Sequence, residues 1–246
     1  MKIAIISGAS SGIGMELAML LDSYMLDELW LISRNYDKLL ELSNKLKTKS
    51  RLISVDLSTE DAYYTIKKLL NEFNPEIKYL VCSAGVGYNG GIETLTENQI
   101  AQIISTNCTA LTRLNKISIN YMKVGSRIIN ISSGSAFMPQ PYFSVYAASK
   151  SYVNSFSRAL GQELKSKSIY VTAVCPGPVD TPFFSSLENI SNYKKRFLVS
   201  PKSVAIGALT ASKKRKKLYT PSFSMKIVHL ASKILPTNLI LKFYKK

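Results

Sequence analysis

The sequence predicts a doubly wound α/β domain in which helices cover both faces of a mainly parallel, seven-stranded sheet. Two observations support this fold class. Short apolar runs rich in β-forming residues alternate with segments of helical spacing, and a glycine-rich loop directly follows the first run. Strands that alternate with helices need crossover connections, which produce parallel pairing and a sheet buried on both faces.

The elements follow from this alternation in chain order. Seven runs are predicted strands: residues 3–6, 29–32, 52–55, 79–82, 127–131, 170–175 and 217–220. Six segments are predicted helices: residues 15–21, 38–46, 63–73, 100–122, 142–164 and 203–211. The segment 222–246 mixes apolar and basic residues, which predicts one or two amphipathic helices. We favour helices that cap the sheet or contact another subunit; the alternative is a surface that touches membrane or covers a lipophilic substrate. Because no linker marks a second domain, we expect one domain over residues 1–221 with residues 222–246 as its extension.

Composition narrows the class of protein. Of the 246 residues, 46% are hydrophobic, which is typical of a packed globular domain. No stretch approaches the roughly 18 apolar residues of a membrane-spanning helix, and the N-terminal pattern indicates a strand rather than a signal peptide. Cys82, Cys108 and Cys175 are widely spaced, so we expect no metal site, no disulfide framework and a reducing, cytoplasmic location.

The formal net charge of +16 is the strongest compositional feature. Such a charge is compatible with nucleic acid, anionic lipid or an acidic ligand as a partner. Lysines occur along the whole chain, and the only dense basic run is residues 213–217. Because aromatic residues are not interleaved with this run, we favour a solvated basic surface over a nucleic-acid site. Peripheral membrane contact through the basic C-terminal region stays open.

The first predicted strand leads into a glycine-rich loop and then a helical segment. In a parallel α/β sheet, this position presents a helix N-terminus to a pyrophosphate, and glycines let the phosphate approach the backbone. The predicted dinucleotide contacts of this Rossmann-type loop are Gly8, Ser10, Ser11, Gly12, Ile13 and Gly14. The loop also matches the Gly-x-Ser-x-Gly pattern of hydrolases. Only one strand precedes it, however, and His229 is the sole histidine, so we reject a hydrolase.

The end of the second predicted strand bears on the choice of dinucleotide. An NAD enzyme usually places an acidic residue there to bind the adenosine ribose hydroxyls, whereas this chain has Ser33-Arg34. A guanidinium at Arg34 suits a 2′-phosphate through bidentate, charge-assisted hydrogen bonds. We therefore favour NADP(H) over NAD(H). The alternative is a solvated arginine at the start of a helix.

Ser133, Tyr146 and Lys150 form a candidate acid–base site. Ser133 follows the fifth predicted strand, and Tyr146 and Lys150 lie four residues apart on one face of the next helix. Both segments are predicted near the carboxyl edge of the sheet, where ligands of such folds bind. We expect the lysine ammonium to lower the pKa of the Tyr146 phenol toward the range used in general acid–base catalysis.

These motifs together resemble the short-chain dehydrogenase/reductase family from the first strand to about Thr181. The matching residues are Gly8, Gly12, Gly14, Asp56, Leu57, Ala84, Gly85, Asn107, Ser133, Tyr146, Lys150 and the run from Pro176 through Gly177, Pro178, Val179 and Asp180 to Thr181. The resemblance implies hydride transfer between a nicotinamide cofactor and a carbonyl or alcohol. It also implies a homo-oligomer, either a dimer or a tetramer.

The resemblance further implies roles for the matched residues. Tyr146 would exchange a proton with the substrate oxygen, which Ser133 would hydrogen-bond. Lys150 would bind the nicotinamide ribose hydroxyls, and Asn107 would hold a water that links Lys150 to solvent. The other expected cofactor contacts are Asp56 and Leu57 at the adenine, Val179 and Thr181 at the carboxamide, and Ala84, Gly85, Pro176 and Gly177.

One motif departs from the family. Where Asn-Asn-Ala-Gly is usual, this chain has Cys82-Ser83-Ala84-Gly85, so the asparagine that braces the central strands is missing. The glycine that lets the cofactor approach is kept. This departure bears on the stability of the strand ends more than on catalysis.

Two aromatic and apolar segments, residues 137–143 and 182–197, are expected to line a substrate pocket. The candidate substrate contacts are Ser133, Met138, Tyr142, Phe183 and Phe184. Such a lining favours a lipophilic ketone, aldehyde or 3-oxoacyl substrate. The alternative is that these side chains only pack a lid against the domain.

Two functional hypotheses remain at this stage. The leading one is an NADP(H)-dependent carbonyl reductase or alcohol dehydrogenase. The other is a non-catalytic protein that senses the dinucleotide and acts on membrane or nucleic acid through its basic surface.

Overall fold

The strands of the computed structural model, which describes residues 1–187 and 198–242, form a parallel sheet. Within these residues seven strands pair in the order β3-β2-β1-β4-β5-β6-β7. The strands are β1 (Lys2–Ser7), β2 (Glu28–Ser33), β3 (Ser50–Ser54), β4 (Glu76–Cys82), β5 (Arg127–Ile131), β6 (Tyr170–Val174) and β7 (Leu218–Tyr219). Every neighbouring pair is parallel. The predicted doubly wound α/β fold is confirmed.

Helices connect these strands. They are α1 (Gly12–Leu21), α2 (Tyr36–Ser43), α3 (Glu60–Phe73), α4 (Glu97–Ile104), α5 (Leu111–Ser118), α6 (Ser144–Glu163), α7 (Pro182–Ser185), α8 (Pro201–Lys213), α9 (Phe223–Ile234) and α10 (Thr237–Lys242). A π-helical turn, Ser105–Ala110, lies between α4 and α5. The single helix predicted over residues 100–122 is therefore interrupted. The predicted amphipathic tail forms α9 and α10.

Helices cover both faces of the sheet. Because successive side chains of a strand point to opposite sides, each strand contributes to the core on both faces. On one side, Ile3 and Ile5 of β1 join a cluster with residues of α3, α5 and α6. On the other side, Ala4 and Ile6 pack with residues of α1 and α8. The apolar runs of the sequence correspond to this two-sided burial. No helix in residues 1–187 or 198–242 is long and apolar enough to cross a membrane.

The strand order reverses direction between β1 and β4. At such a switch point the crossovers diverge to opposite sides, which leaves a crevice outside the carboxyl ends of the two strands. The glycine-rich loop after β1 and the loop after β4 border this crevice.

A serine of β1 connects the two strand ends that border the crevice. The backbone N–H groups of Ser83 and Ala84 donate hydrogen bonds to Ser7 Oγ at 3.2 and 3.3 Å. The Ser7 hydroxyl in turn donates to the Val81 carbonyl at 3.4 Å. The ends of β1 and β4 are therefore tied together by a side chain of β1.

Candidate active site

One cavity of about 850 Å³ gathers most of the predicted site residues. It lies at the carboxyl edge of the sheet and is lined by the loops that follow β1 to β6. Of the predicted residues it includes Gly8, Ser10, Ser11, Gly12, Ile13, Arg34, Asp56, Leu57, Ala84, Gly85, Ser133, Met138, Tyr142, Tyr146, Lys150, Pro176, Gly177, Val179, Thr181, Phe183 and Phe184. Gly14 and Asn107 were predicted as site residues but are not among those that line it.

The glycine-rich loop has a backbone that suits a dinucleotide phosphate. Gly8 and Gly12 adopt left-handed φ angles of +67° and +56°, which strain any residue with a Cβ. The N-terminus of α1 follows Ser11, whose side chain makes no capping hydrogen bond. Gly12 and Ile13, the first two residues of the helix, line the cavity, so the N–H groups at this helix end can receive an anion.

Gly14 has a packing role in this structure. A Cβ at this position would collide with the carbonyl oxygen of Gly8. Gly14 therefore lets α1 approach the turn that precedes it. The predicted contact of Gly14 with the dinucleotide stays a prediction, and the residue is not among those that line the cavity.

Asn107 joins two parts of the site from the π-helical turn. Its Oδ1 accepts a hydrogen bond from the Val86 N–H, and its Nδ2 donates to the Val86 carbonyl, both at 2.9 Å. Nδ2 also donates to Ser149 Oγ at 2.9 Å. Asn107 therefore connects the loop after β4 to α6, the helix that carries Tyr146 and Lys150. The water-binding role implied by the resemblance stays a prediction.

Tyr146 and Lys150 are both buried on the cavity side of α6, with 6% and 5% of their surface exposed. Burial raises the pKa of Tyr146 to about 12, although a hydrogen bond with Ser133 opposes this rise. Burial also lowers the pKa of Lys150 to about 8. Lys150 Nζ donates to the Ile131 carbonyl at 3.0 Å and lies 5.7 Å from the centre of the Tyr146 ring.

The expected lowering of the Tyr146 pKa by Lys150 is therefore wrong for this structure. The two residues do meet on one helical face, as their spacing predicts. Desolvation of the phenolate outweighs the opposing hydrogen bond, and the Lys150 charge is not among the causes of the shift. Sequence spacing indicates proximity, but burial depends on packing by the rest of the chain.

The end of the cavity next to β2 and β3 carries two cationic side chains, Arg34 and Lys38. Arg34 follows β2, and its Nη1 lies 4.0 Å from Asp56 Oδ2. Partial burial would raise the pKa of Asp56, but hydrogen bonds from Ser58 and the charge of Arg34 hold it below its ordinary value. Lys38, in the first turn of α2, lines the same cavity, and its backbone N–H donates to the N-cap residue Asn35. Sequence reasoning missed Lys38, although its position one turn after Arg34 was a usable signal.

The other end of the cavity is aromatic. The Phe143 ring stacks on Tyr146 with centroids 4.3 Å apart, and the Phe183 ring lies 5.5 Å from the same tyrosine. The predicted contacts Met138, Tyr142 and Phe184 also line this region. Residues 188–197 of the predicted lid lie outside the described residues.

Helix α9 forms one wall of the cavity, which corresponds to the less favoured of the sequence-based alternatives for the tail. Ser224, Met225 and Val228 line the cavity. A Cβ on Gly134 or Gly177 would approach the Met225 side chain closely, so the helix packs on the turns after β5 and β6. The amphipathic pattern of the tail was the available signal, but it did not specify where the helix would pack.

Comparison with known proteins agrees with this geometry. A family model described as short chain dehydrogenase matches residues 2–191. The chain is 36% identical to very-long-chain 3-oxoacyl-CoA reductase of Rattus norvegicus over 183 aligned residues. This alignment covers 70% of this chain and 58% of that protein. It is 31% identical to 17-beta-hydroxysteroid dehydrogenase type 3 of Mus musculus over 194 aligned residues. This alignment covers 76% of this chain and 63% of that protein. The chain thus spans less than two thirds of the length of either relative.

A solved structure shares the whole fold. A short-chain dehydrogenase from Sphingobium yanoikuyae in complex with NADPH superposes with a TM-score of 0.81 at 24% identity, covering 100% of this chain and 97% of the other. A 3-ketoacyl-(acyl-carrier-protein) reductase from Brucella melitensis complexed with NADH has a TM-score of 0.79 at 20% identity, covering 89% and 96%. At these identities the likeness concerns the fold.

Proposed function

This chain belongs to the short-chain dehydrogenase family, and from this premise we propose that it is an NADP(H)-dependent reductase of a lipophilic carbonyl compound. The observation that carries the proposal is the convergence of Ser133, Tyr146 and Lys150 on the cavity that also contains the glycine-rich loop. A phosphate-binding helix end and a proton donor thus face one space of suitable size for a dinucleotide and a substrate.

Tyr146 and Ser133 would act on the substrate oxygen. When bound, the nicotinamide ring supplies the hydride for reduction or accepts it for oxidation. The Tyr146 hydroxyl donates the proton to the carbonyl oxygen, and the Ser133 hydroxyl donates a hydrogen bond to the same oxygen. A pKa of about 12 keeps Tyr146 protonated at neutral pH. The protonated phenol is the form that can donate a proton to a carbonyl oxygen.

Lys150 and Asn107 would position the reacting groups. One Lys150 N–H is used by the Ile131 carbonyl, which leaves two donors for the ribose hydroxyls of the nucleotide. A Cβ on Gly85 would lie 3.3 Å from both Lys150 Nζ and Asn107 Oδ1, so the glycine keeps this approach open. Asn107 holds α6 against the loop after β4 and acts through Tyr146 and Lys150.

The preference for NADP(H) rests on the charges at the end of the cavity next to β2 and β3, where the adenosine would bind. Arg34 and Lys38 line the cavity there, and together they can bind a 2′-phosphate through charge-assisted hydrogen bonds. The solved structures similar in fold include complexes with NADPH and with NADH, so the fold alone does not select the dinucleotide.

The substrate class rests on the aromatic end. Phe183, Phe184 and Met138, with Met225 and Val228 of α9, make a largely apolar lining. The relatives act, by name, on 3-oxoacyl-CoA and on hydroxysteroids. We therefore infer a 3-oxoacyl thioester or another lipophilic ketone or aldehyde as substrate.

The test is reduction of such compounds by the purified chain, with NADPH and NADH compared in parallel. Tyr146→Phe should lower kcat by about a hundredfold to ten thousandfold, because the proton donor is lost. Binding of NADPH, measured by calorimetry, should change little. Turnover by Tyr146→Phe at the parent's rate would refute the proposed proton donor.

A further inference from the structure

Charge is distributed very unevenly along the chain. None of the 16 acidic residues lies after Glu188, whereas 14 of the 32 lysine and arginine residues do. Residues 1–188 therefore carry a formal charge of only +2, and nearly all of the net charge of +16 belongs to the last part of the chain. The basic character of this protein is thus a local property.

Apart from Lys202 in the first turn of α8, the structure separates the described part of this charge into two regions. The basic run 213–217 lies between α8 and β7 at the amino edge of the sheet, opposite the cavity. There Lys213 Nζ lies 4.5 Å from the Tyr24 ring centre, and Lys217 Nζ donates to Gln162 Oε1 at 3.0 Å. A second set, Lys226, Lys233 and Lys242, belongs to α9 and α10.

Helix α9 has one face on the protein and an apolar face in solvent. Phe223, Ile227, Leu230 and Ile234 are 76%, 54%, 60% and 70% exposed. Their spacing of four, three and four residues aligns them in one row along the helix, which we call the outer stripe. On the opposite side, Met225 and Val228 line the cavity, and the His229 ring stacks on Phe137 with centroids 4.4 Å apart.

Lysines border the outer stripe. Lys226 and Lys233 are exposed and seven residues apart, so they lie on the same flank of the helix. Helix α10 continues the pattern with exposed Leu239 and with Lys242. Such a combination of an apolar row and flanking cations is typical of helices that lie in a bilayer interface.

We propose that α9 and α10 form a docking surface for an anionic lipid bilayer, with the outer stripe in the interface and Lys226 and Lys233 near the lipid phosphates. The 12 residues of α9 span about 18 Å, so the helix would lie along the surface rather than cross the hydrocarbon core of about 30 Å.

The charges favour lipid over a second copy of this chain. In a two-fold interface the same patch occupies both sides, so the lysines of this patch would face their own counterparts. No acidic residue in α9 or α10 can neutralise them. An anionic bilayer complements both the stripe and the cations.

Docking would also place the cavity beside the bilayer. The inner side of α9 is a cavity wall, so a lipophilic compound dissolved in the membrane would have a short path to Tyr146. The lipid contact does not depend on catalysis, and it can be tested on protein with no dinucleotide or substrate added.

The experiment is co-sedimentation of the full chain with vesicles of phosphatidylcholine alone and of phosphatidylcholine with one quarter phosphatidylserine. We expect binding to the anionic vesicles that weakens as salt is raised, and little binding to neutral ones. Lys226→Gln with Lys233→Gln should weaken binding about tenfold or more. The matched control, Lys214→Gln with Lys216→Gln, removes the same charge at the opposite edge of the sheet and should change binding by less than about twofold.

A second variant pair tests the stripe. Ile227→Ser with Leu230→Ser should reduce vesicle binding about tenfold or more, because apolar area no longer enters the interface. Val124→Ser with Ile92→Ser alters two other exposed apolar residues and should leave binding unchanged. Circular dichroism and thermal unfolding establish that each variant is folded, and Phe223→Ser provides an independent single change at the most exposed position of the stripe.

Three results would overturn the proposal. One is absence of binding to anionic vesicles at low salt, and another is equal weakening by the two lysine pairs. The third is a stripe variant that retains vesicle binding but changes from oligomer to monomer in sedimentation velocity, which would assign the stripe to a second copy.

Discussion

Tyr146 and Lys150 show how strongly burial controls the chemistry of single residues. Both titrate away from their ordinary values because their charged forms have lost water. The neutral phenol is suited to proton donation. The buried ammonium, by contrast, is unfavourable for stability and is retained, on the proposed function, because it positions the nucleotide.

Lys150→Met should therefore stabilise the fold while impairing activity. The pKa of Lys150 is lowered by burial from 10.5 to about 8, so the charged lysine destabilises the folded chain below pH 8. The substitution also removes the hydrogen bond to the Ile131 carbonyl, which offsets part of this effect. We therefore expect the free energy of unfolding to rise by about 1–2 kcal/mol at pH 7. The gain should disappear as the pH rises from 8 toward 10.5, because the neutral lysine carries no such penalty.

Urea unfolding at several pH values measures this effect. Lys165→Met, an exposed lysine just beyond α6, is the control and should show no such pH dependence. A Lys150→Met variant that is less stable than the parent at pH 7 would contradict the burial of a charged lysine.

Arg34→Ala should weaken binding of NADPH about tenfold to a hundredfold, because charge-assisted hydrogen bonds to the 2′-phosphate are lost. Binding of NADH, which lacks this phosphate, should change far less. Calorimetric titration with both dinucleotides measures the difference. Lys45→Ala, which removes one charge just beyond the other end of α2, is the control. Equal losses for NADPH and NADH would place Arg34 outside the phosphate site.

At the scale of elements, α6 is held in place by contacts from distant parts of the chain. Asn107 connects it to the loop after β4, and Ser132 Oγ donates to the Lys150 carbonyl at 2.8 Å. The π-helical turn that contains Asn107 follows the pattern in which such turns concentrate at functional sites. The position of Tyr146 and Lys150 therefore depends on the loop after β4, the end of β5 and the π-helical turn together.

Asn107→Ala should test this positioning. It leaves both backbone polar groups of Val86 without their partner, which should destabilise the chain by about 2–3 kcal/mol. The melting temperature should fall by about 4–12 °C, and kcat should decrease more than KM rises. Asn120→Ala, in the exposed turn after α5, is the control. An unchanged melting temperature and kcat would show that α6 is positioned without Asn107.

At the scale of the whole molecule, the strand order brings together the two ends of the cavity on which the proposed function depends. The loops after β1, β2 and β3 form the cationic end of the cavity, and those after β5 and β6, with α9, form the apolar end. The reversal between β1 and β4 brings these halves to one crevice. The homo-oligomer and the cytoplasmic location stay predictions.

The sequence by itself determined the alternation of strands and helices and the residues that reach the carboxyl edge of the sheet. These depend on local periodicity and on turn chemistry, which neighbouring residues encode. Thus Gly8, Ser133 and Tyr146 could be assigned to the site before any contact was known.

Only the tertiary structure decided features that join residues far apart in the chain. The Ser7 brace connects residues 76 positions apart, and Met225 reaches the cavity from the tail. The pKa of Tyr146 likewise depends on burial by several elements. The burial of a side chain and the distances between charged groups are properties of the packed chain, because they arise from contacts that sequence spacing does not specify.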